Sequence, residues 1–96
     1  MNIFRRFFAK RPPEPRASLQ IVQTGFEINT TRILTQGEII HNRLDYGDGV
    51  IGWDNPIHFT MRHKYEKEGT YVLSLIVIDK YGRVSESNKT ITVPPR

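Results

Sequence analysis

From Ala17 onward, apolar and polar residues alternate with a period of two, the pattern of strands that turn one face to a core. Leu19 to Gln23 predicts a first strand, and Phe26-Glu27-Ile28-Asn29 opens a second with Phe26 and Ile28 on one face. Ile39 to Tyr46 sets Ile40, Asn42, Leu44 and Tyr46 against Ile39, His41, Arg43 and Asp45. Ile57, Phe59, Met61, His63 and Tyr65 repeat the alternation, Tyr71, Leu73, Leu75 and Val77 form its strongest run, and Ile91 with Val93 closes the set. Gly37, Gly69 and Gly82 punctuate the gaps. Asp45-Tyr46-Gly47-Asp48-Gly49 supplies turn chemistry, because glycines accept positive φ and aspartates bond nearby backbone amides. Short strands separated by such turns predict an all-β sandwich with antiparallel sheets.

The first sixteen residues break the pattern. Ile3, Phe4, Phe7 and Phe8 fall on one helical stripe, Arg5, Arg6 and Lys10 occupy the rest, and Asn2 suits an N-cap. Pro12 and Pro13 stop any helix, and residues 11–16 read as an extended spacer. A helix of about nine residues is marginal in water by itself, so this arm is expected to order only against a partner. Its docking residues are Ile3, Phe4, Arg5, Arg6, Phe7, Phe8 and Lys10, facing a protein groove or a membrane surface. The chain thus divides into an arm, residues 1–16, and a sandwich, residues 17–96.

Charge sharpens that division. Of the 14 basic and 10 acidic side chains, the arm holds five basic residues and Glu14, which accounts for the whole formal charge of +4. The remaining residues balance, so no basic domain face for nucleic acid is expected. At 96 residues the chain suffices for one small domain with a modest core, too thin to wall a deep substrate pocket. With no cysteine, disulfides, thiol catalysis and cysteine zinc sites are excluded. The two arginines after Phe4 interrupt any secretion-type apolar run, so synthesis and first residence in the cytoplasm are expected.

Chemistry-bearing residues are few. Acyl transfer needs a nucleophile on a strained elbow with a base and an orienting acid, and no such motif occurs. Asp45, Asp48, Asp54 and Asp79 carry oxygens suited to calcium, yet their spacing is not that of a calcium loop and turn aspartates ordinarily bond local backbone. His41, His58 and His63 do not form a zinc set, since His58 and His63, five apart in a strand, would point to opposite faces. No metal, cofactor, catalytic residue or small-molecule substrate is therefore expected. Trp53, the sole tryptophan, lies in the loop-like Gly52-Trp53-Asp54-Asn55-Pro56 and reads either as a lid on the sandwich end or as an exposed anchor for protein or sugar. If Tyr71, Leu73, Leu75 and Val77 point inward, then Val72, Ile76 and Ile78 form an outward apolar row, a second candidate contact surface.

Four motifs in order, Leu44-Asp45-Tyr46-Gly47-Asp48-Gly49, His63-Lys64-Tyr65, Gly69 to Asp79, and Gly82 with Val93, resemble the PKD domain. That family's pattern runs W-D-F-G-D-G, H-x-Y, G-x-Y-x-V-x-L-x-V-x-D, and the likeness covers essentially the whole globular part. Leu44 stands at the usual Trp place and Tyr46 at the usual Phe place, which predicts a more lightly packed core centre. The resemblance implies a seven-stranded immunoglobulin-like sandwich used as a spacer, adhesion or protein-contact module, mostly outside cells and without catalysis. Some relatives bind calcium or polysaccharide. Gly69-Thr70-Tyr71 is similar to a tyrosine corner, whose hydroxyl bonds back to the preceding loop.

A largely extracellular family and a chain without an export signal are reconciled by a virus or phage particle, assembled in the cytoplasm and exposed afterwards. The first functional expectation is accordingly a minor capsid, cement or decoration protein of a virion, held among other structural proteins of a large assembly by its arm. The alternative is a carbohydrate- or matrix-binding adhesion module of a cell-surface or secreted protein, with Trp53 at its contact.

Overall fold

The computed structural model describes residues 13–95; the arm contacts expected of Ile3, Phe4, Arg5, Arg6, Phe7, Phe8 and Lys10 lie outside the described residues. Seven strands run β1 (Arg16–Thr24), β2 (Glu27–Gln36), β3 (His41–Asp45), β4 (Ile51–Trp53), β5 (Thr60–Lys64), β6 (Gly69–Ile78) and β7 (Val84–Val93). They form a three-stranded sheet, β1-β2-β5, facing a four-stranded sheet, β4-β3-β6-β7. All pairings are antiparallel.

The alternation places the core as the pattern demands. Leu19 and Ile28 from one sheet meet Leu44, Leu73, Leu75, Val77 and Val93 from the other, with Tyr46 and Tyr65 closing one end. Leu44 and Tyr46, the two departures from the family pattern, are both buried.

Several boundaries differ from the sequence reading. β2 is much longer than its Phe26–Asn29 opening, because Thr30 and Arg32 continue the inward face of Ile28. The segment around Trp53 is a strand and not a loop: β4 pairs Arg43 with Trp53 and Asp45 with Ile51. The strand expected from Ile57 begins only at Thr60. Ile57 and His58 occupy a turn in which His58 has φ 67°, and Phe59 is left 64% exposed. His58 and His63 therefore do not share a strand at all. Ile40 lies just before β3 and is exposed. β7 runs ten residues, of which Val84 to Thr90 are mostly polar, a composition that hid it from a hydrophobic pattern.

The tyrosine corner is present, with the Tyr71 hydroxyl donating to Lys67 O at 2.7 Å. A second tyrosine is tied more deeply: buried Tyr65 donates its hydroxyl to Tyr46 O at 2.7 Å, and burial pushes its pKa up. Its ring stacks on Tyr71 at 4.2 Å between centroids, while His63 stacks on Tyr46 at 4.1 Å. His63 also bonds Asp48 through Nε2 at 2.8 Å. The H-x-Y and G-D-G motifs thus meet as one ring-stacked knot that locks the β3–β4 turn onto β5 and β6.

Candidate functional site

Residues directly opposite one another in an antiparallel sheet share a face. On the outer face of the four-stranded sheet the register therefore aligns three rows: His41, Ile78 and Val84; Trp53, Arg43, Ile76 and Glu86; and Ile51, Asp45, Ser74 and Asn88. The apolar side chains gather in the first two rows. Between them opens a groove of about 560 Å³ floored by Ile76 and Ile78 and flanked by Trp53, His41 and Asp54.

Trp53 is 63% exposed at the free edge of the sheet, so it does not cover the core as a lid. The Arg43 guanidinium sits 5.6 Å from the indole centroid, a cation–π contact that fixes the ring while leaving most of it to solvent. Ile76 and Ile78 line the groove as half-buried side chains, whereas Val72 is exposed but separated from them by Ser74 and does not line it. The outward row expected from strand parity is real as a facing, but only two of its members belong to one site.

The turn after Trp53 is held by polar bonds. Asp54, at φ 50°, accepts the Asn42 N–H through Oδ1 at 3.0 Å and faces His41 Nδ1 at 3.2 Å. The Asn42 amide donates to Asn55 O at 3.0 Å. The Asn42 N–H holds the Asp54 carboxyl below its ordinary pKa against the opposing push of burial, and His41 adds to the lowering.

Beneath this turn lies a residue that the sequence reading missed. Arg32 projects inward from β2 and is 1% exposed. With the Asn55 amide turned oxygen-inward, Nη1 and Nη2 donate to it at 2.9 and 3.2 Å, and Nε has no partner. Burial lowers the guanidinium's pKa, and Tyr46 partly offsets that. The signal was available: counting by twos from Ile28 reaches Arg32 on the core face.

The aspartates considered for calcium lie in three turns, with Asp45 and Asp48 sharing the one between β3 and β4, and each is satisfied by neighbouring donors. Asp45 accepts from Gly47 N at 2.8 Å, and Asp48 accepts from Val50 N at 3.1 Å while also facing His63. Asp79 accepts from the backbone N–H groups of Tyr81 and Arg83, both at 2.9 Å, and from Arg83 Nε at 2.7 Å. Among the described residues no three His, Asp or Glu side chains converge as a metal site.

Asp79 gives a pH prediction. Burial raises its pKa, but the bonds from Arg83 and Tyr81 together outweigh it and leave the value lowered. A carboxyl whose folded pKa lies below its unfolded one, about 3.9, stabilises the fold above that pH and loses the contribution as pH falls through the folded value. Asp54 acts in the same direction. Thermal melts are expected to hold from neutrality down to about pH 4 and to decline below it. Asp79→Asn should melt lower at neutral pH and show a shallower acid decline; an unchanged acid slope would remove Asp79 from the account.

Comparison with known proteins places these features in context. The family model for the PKD domain matches residues 16–93. Collagenase ColQ1 of Bacillus cereus (strain Q1) is 41% identical over 58 residues, 59% of this chain but only 6% of the collagenase. The PKD1 domain of Vibrio anguillarum Epp superposes with a TM-score of 0.76 at 20% identity, covering 90% of this chain and 100% of that domain, a likeness of fold. A structure of carbohydrate-binding modules from the β-sandwich superfamily gives a TM-score of 0.69 at 28% identity, over 85% of this chain and 35% of the other. None of these three bears on a virus particle, and the expectation of a capsid component has no support from them.

Proposed function

The chain belongs to the PKD domain family, and we propose that it works as a non-catalytic binding module that engages polysaccharide through the groove beside Trp53, as part of a protein acting outside the cell. The observation that carries this reading is the indole itself: it is exposed, braced from one side by Arg43, and adjoins an apolar groove rimmed by His41 and Asp54. Sugar rings offer a flat C–H face to an aromatic surface and hydroxyls to polar groups at its rim, and this site has both in that order. The three-residue β4 offers little edge backbone for adding a peptide strand, which favours a side-chain-read ligand. The likeness to carbohydrate-binding modules supports the ligand class, and kinship to a segment of a collagenase, named for a matrix substrate, supports an extracellular setting.

Glycan-array screening followed by titration calorimetry on the best saccharide tests this. Trp53→Ala is expected to weaken binding by about tenfold or more, equivalent to about 1.4 kcal/mol. Tyr81→Ala, which removes an exposed aromatic outside the groove, should leave affinity unchanged. Failure to bind any saccharide, or equal affinity of Trp53→Ala and the parent chain, would sink the proposal.

A further inference from the structure

We propose that two copies of the chain associate face to face through the outer side of the four-stranded sheet, with a two-fold axis running along β6.

The first ground is the row of side chains that would lie on that axis. From Val72 onward the outward positions of β6 are Val72, Ser74, Ile76 and Ile78, three of them apolar and the fourth small. Val72 is 54% exposed, and Val84, opposite Ile78 on β7, is 61% exposed. The groove beside Trp53 uses Ile76 and Ile78 and leaves Val72 and Val84 without a role. A two-fold axis parallel to the strand sets each β6 residue against its own counterpart, so the whole row is covered at once. Stacked sheets pack about 10 Å apart with strands within about 30° of alignment, and branched aliphatic side chains fill that gap.

The second ground is charge. In the row through Ile76, Arg43 stands on one side, on β3, and Glu86 on the other, on β7. Neither has an ion-pair partner among the described residues. The Arg43 guanidinium rests 5.6 Å from the Trp53 centroid, and Glu86 accepts from Asn88 Nδ2 at 3.1 Å. The axis along β6 exchanges the two sides, so Arg43 of each copy faces Glu86 of the other, twice in the dimer. The rows on either side set Asp45 against Asn88 and His41 against Val84, with no like charges opposed. An axis across the strands at Ile76 would instead oppose Arg43 to Arg43 and Glu86 to Glu86, which the charges disfavour. Lys80 and Arg83 lie beyond these rows, in the β6–β7 turn. Arg83 is bound to Asp79 at 2.7 Å and to Pro13 O at 3.1 Å, and Lys80 lies over Tyr81 beside a separate pocket shared with Pro13 and Glu38. Trp53 and Asp54, on the β4 side, stay at the margin of the overlap of β3, β6 and β7.

Size sets the strength. From strand spacing and rise, the overlap covers on the order of 500 Å² of each copy. About 1,000 Å² in total is the small end of specific interfaces, so the dimer is expected to be half-dissociated between about 10 µM and about 1 mM. Ile76 and Ile78 lie within the overlap and also floor the groove, so on the groove reading a saccharide and a second copy exclude one another.

Sedimentation equilibrium of the full chain, from about 1 µM to about 1 mM, tests this. The parent is expected to pass from monomer to dimer over that range. Arg43→Glu and Glu86→Arg each oppose like charges twice, and each alone should weaken association by about tenfold or more. Mixed in equal amounts, the two variants should recover the parent's affinity, because each supplies the charge that the other lacks. Val72→Glu, at an exposed position outside the groove, sets two carboxylates together on the axis and should also weaken association. If Arg43→Glu loses the sheet signal in circular dichroism, Glu86→Arg and Val72→Glu decide alone. A parent chain still monomeric at about 1 mM would overturn the proposal. So would folded variants that dimerise as the parent does, which would put the contact elsewhere in the chain, or a mixture that stays monomeric. No saccharide enters this measurement, so its failure leaves the groove reading intact.

Discussion

Gly47→Ala is expected to destabilise the sandwich by at least about 3 kcal/mol, a large fraction of the about 5–15 kcal/mol that holds a typical domain folded. Two costs combine. Gly47 has φ 84°, where an alanine loses about 1–2 kcal/mol to its own Cβ. An added Cβ would also stand 2.6 Å from Val72 O and 3.1 Å from Val72 N. These are backbone atoms of β6, a strand held in register by β7 with Val72 opposite Thr90, and cannot swing aside as a side-chain tip would. Gly49→Ala is the control: its φ is 95°, but nothing lies within 4 Å of the added carbon, so only the backbone cost applies. Urea unfolding of the two variants should separate them by about 2 kcal/mol, and thermal midpoints by roughly 10 °C. If they unfold together, the close approach of the turn to β6 does not constrain the fold.

Arg32 gives the second large effect, and the replacement decides its sign. Its guanidinium is buried with no carboxylate of the described residues paired to it, bonded to the Asn55 amide, with Nε unpartnered. Desolvating an unpaired charge is costly, and similar volumes of apolar side chain in place of buried ionic groups are often neutral or stabilising. Arg32→Met keeps the aliphatic stem and deletes the charge, and is expected to match the parent or exceed it by about 1–2 kcal/mol. Arg32→Ala deletes the stem as well and opens space between Tyr46 and Gly52, at a cost of about 2–4 kcal/mol. Denaturant titration of both variants checks the contrast. A methionine variant as weak as the alanine one would mean that the charge is stabilised by more than Asn55. Because Asn55 also receives the Asn42 amide on its carbonyl, both variants should loosen the turn that follows Trp53.

How much of this was legible differs by residue. The inward run Tyr71, Leu73, Leu75, Val77 and the G-D-G turn were readable, since each rests on local rules, strand parity and positive φ at glycine. Trp53 was not placed by those rules: a three-residue edge strand is too short to show a period, and only its pairing with Arg43 turns the indole outward. His63 was readable as an inward-facing strand residue, but its bond to Asp48 joins positions fifteen residues apart across a turn. Arg32 was missed because a charged side chain within a strand is ordinarily assigned to solvent.

The sequence by itself determined an all-β, cysteine-free sandwich of PKD type, with its inward faces on β3, β5 and β6 and a net charge confined to the first sixteen residues. Those properties follow from period, turn chemistry and composition, which act over a few neighbouring residues. The tertiary structure alone decided that Trp53 is exposed and not a lid, that Ile76 and Ile78 but not Val72 share its groove, and that Arg32 is sealed beneath it. Each of these depends on register between strands distant in the chain. A shift of one residue in that register would exchange the two faces, and no local pattern near Trp53 specifies it.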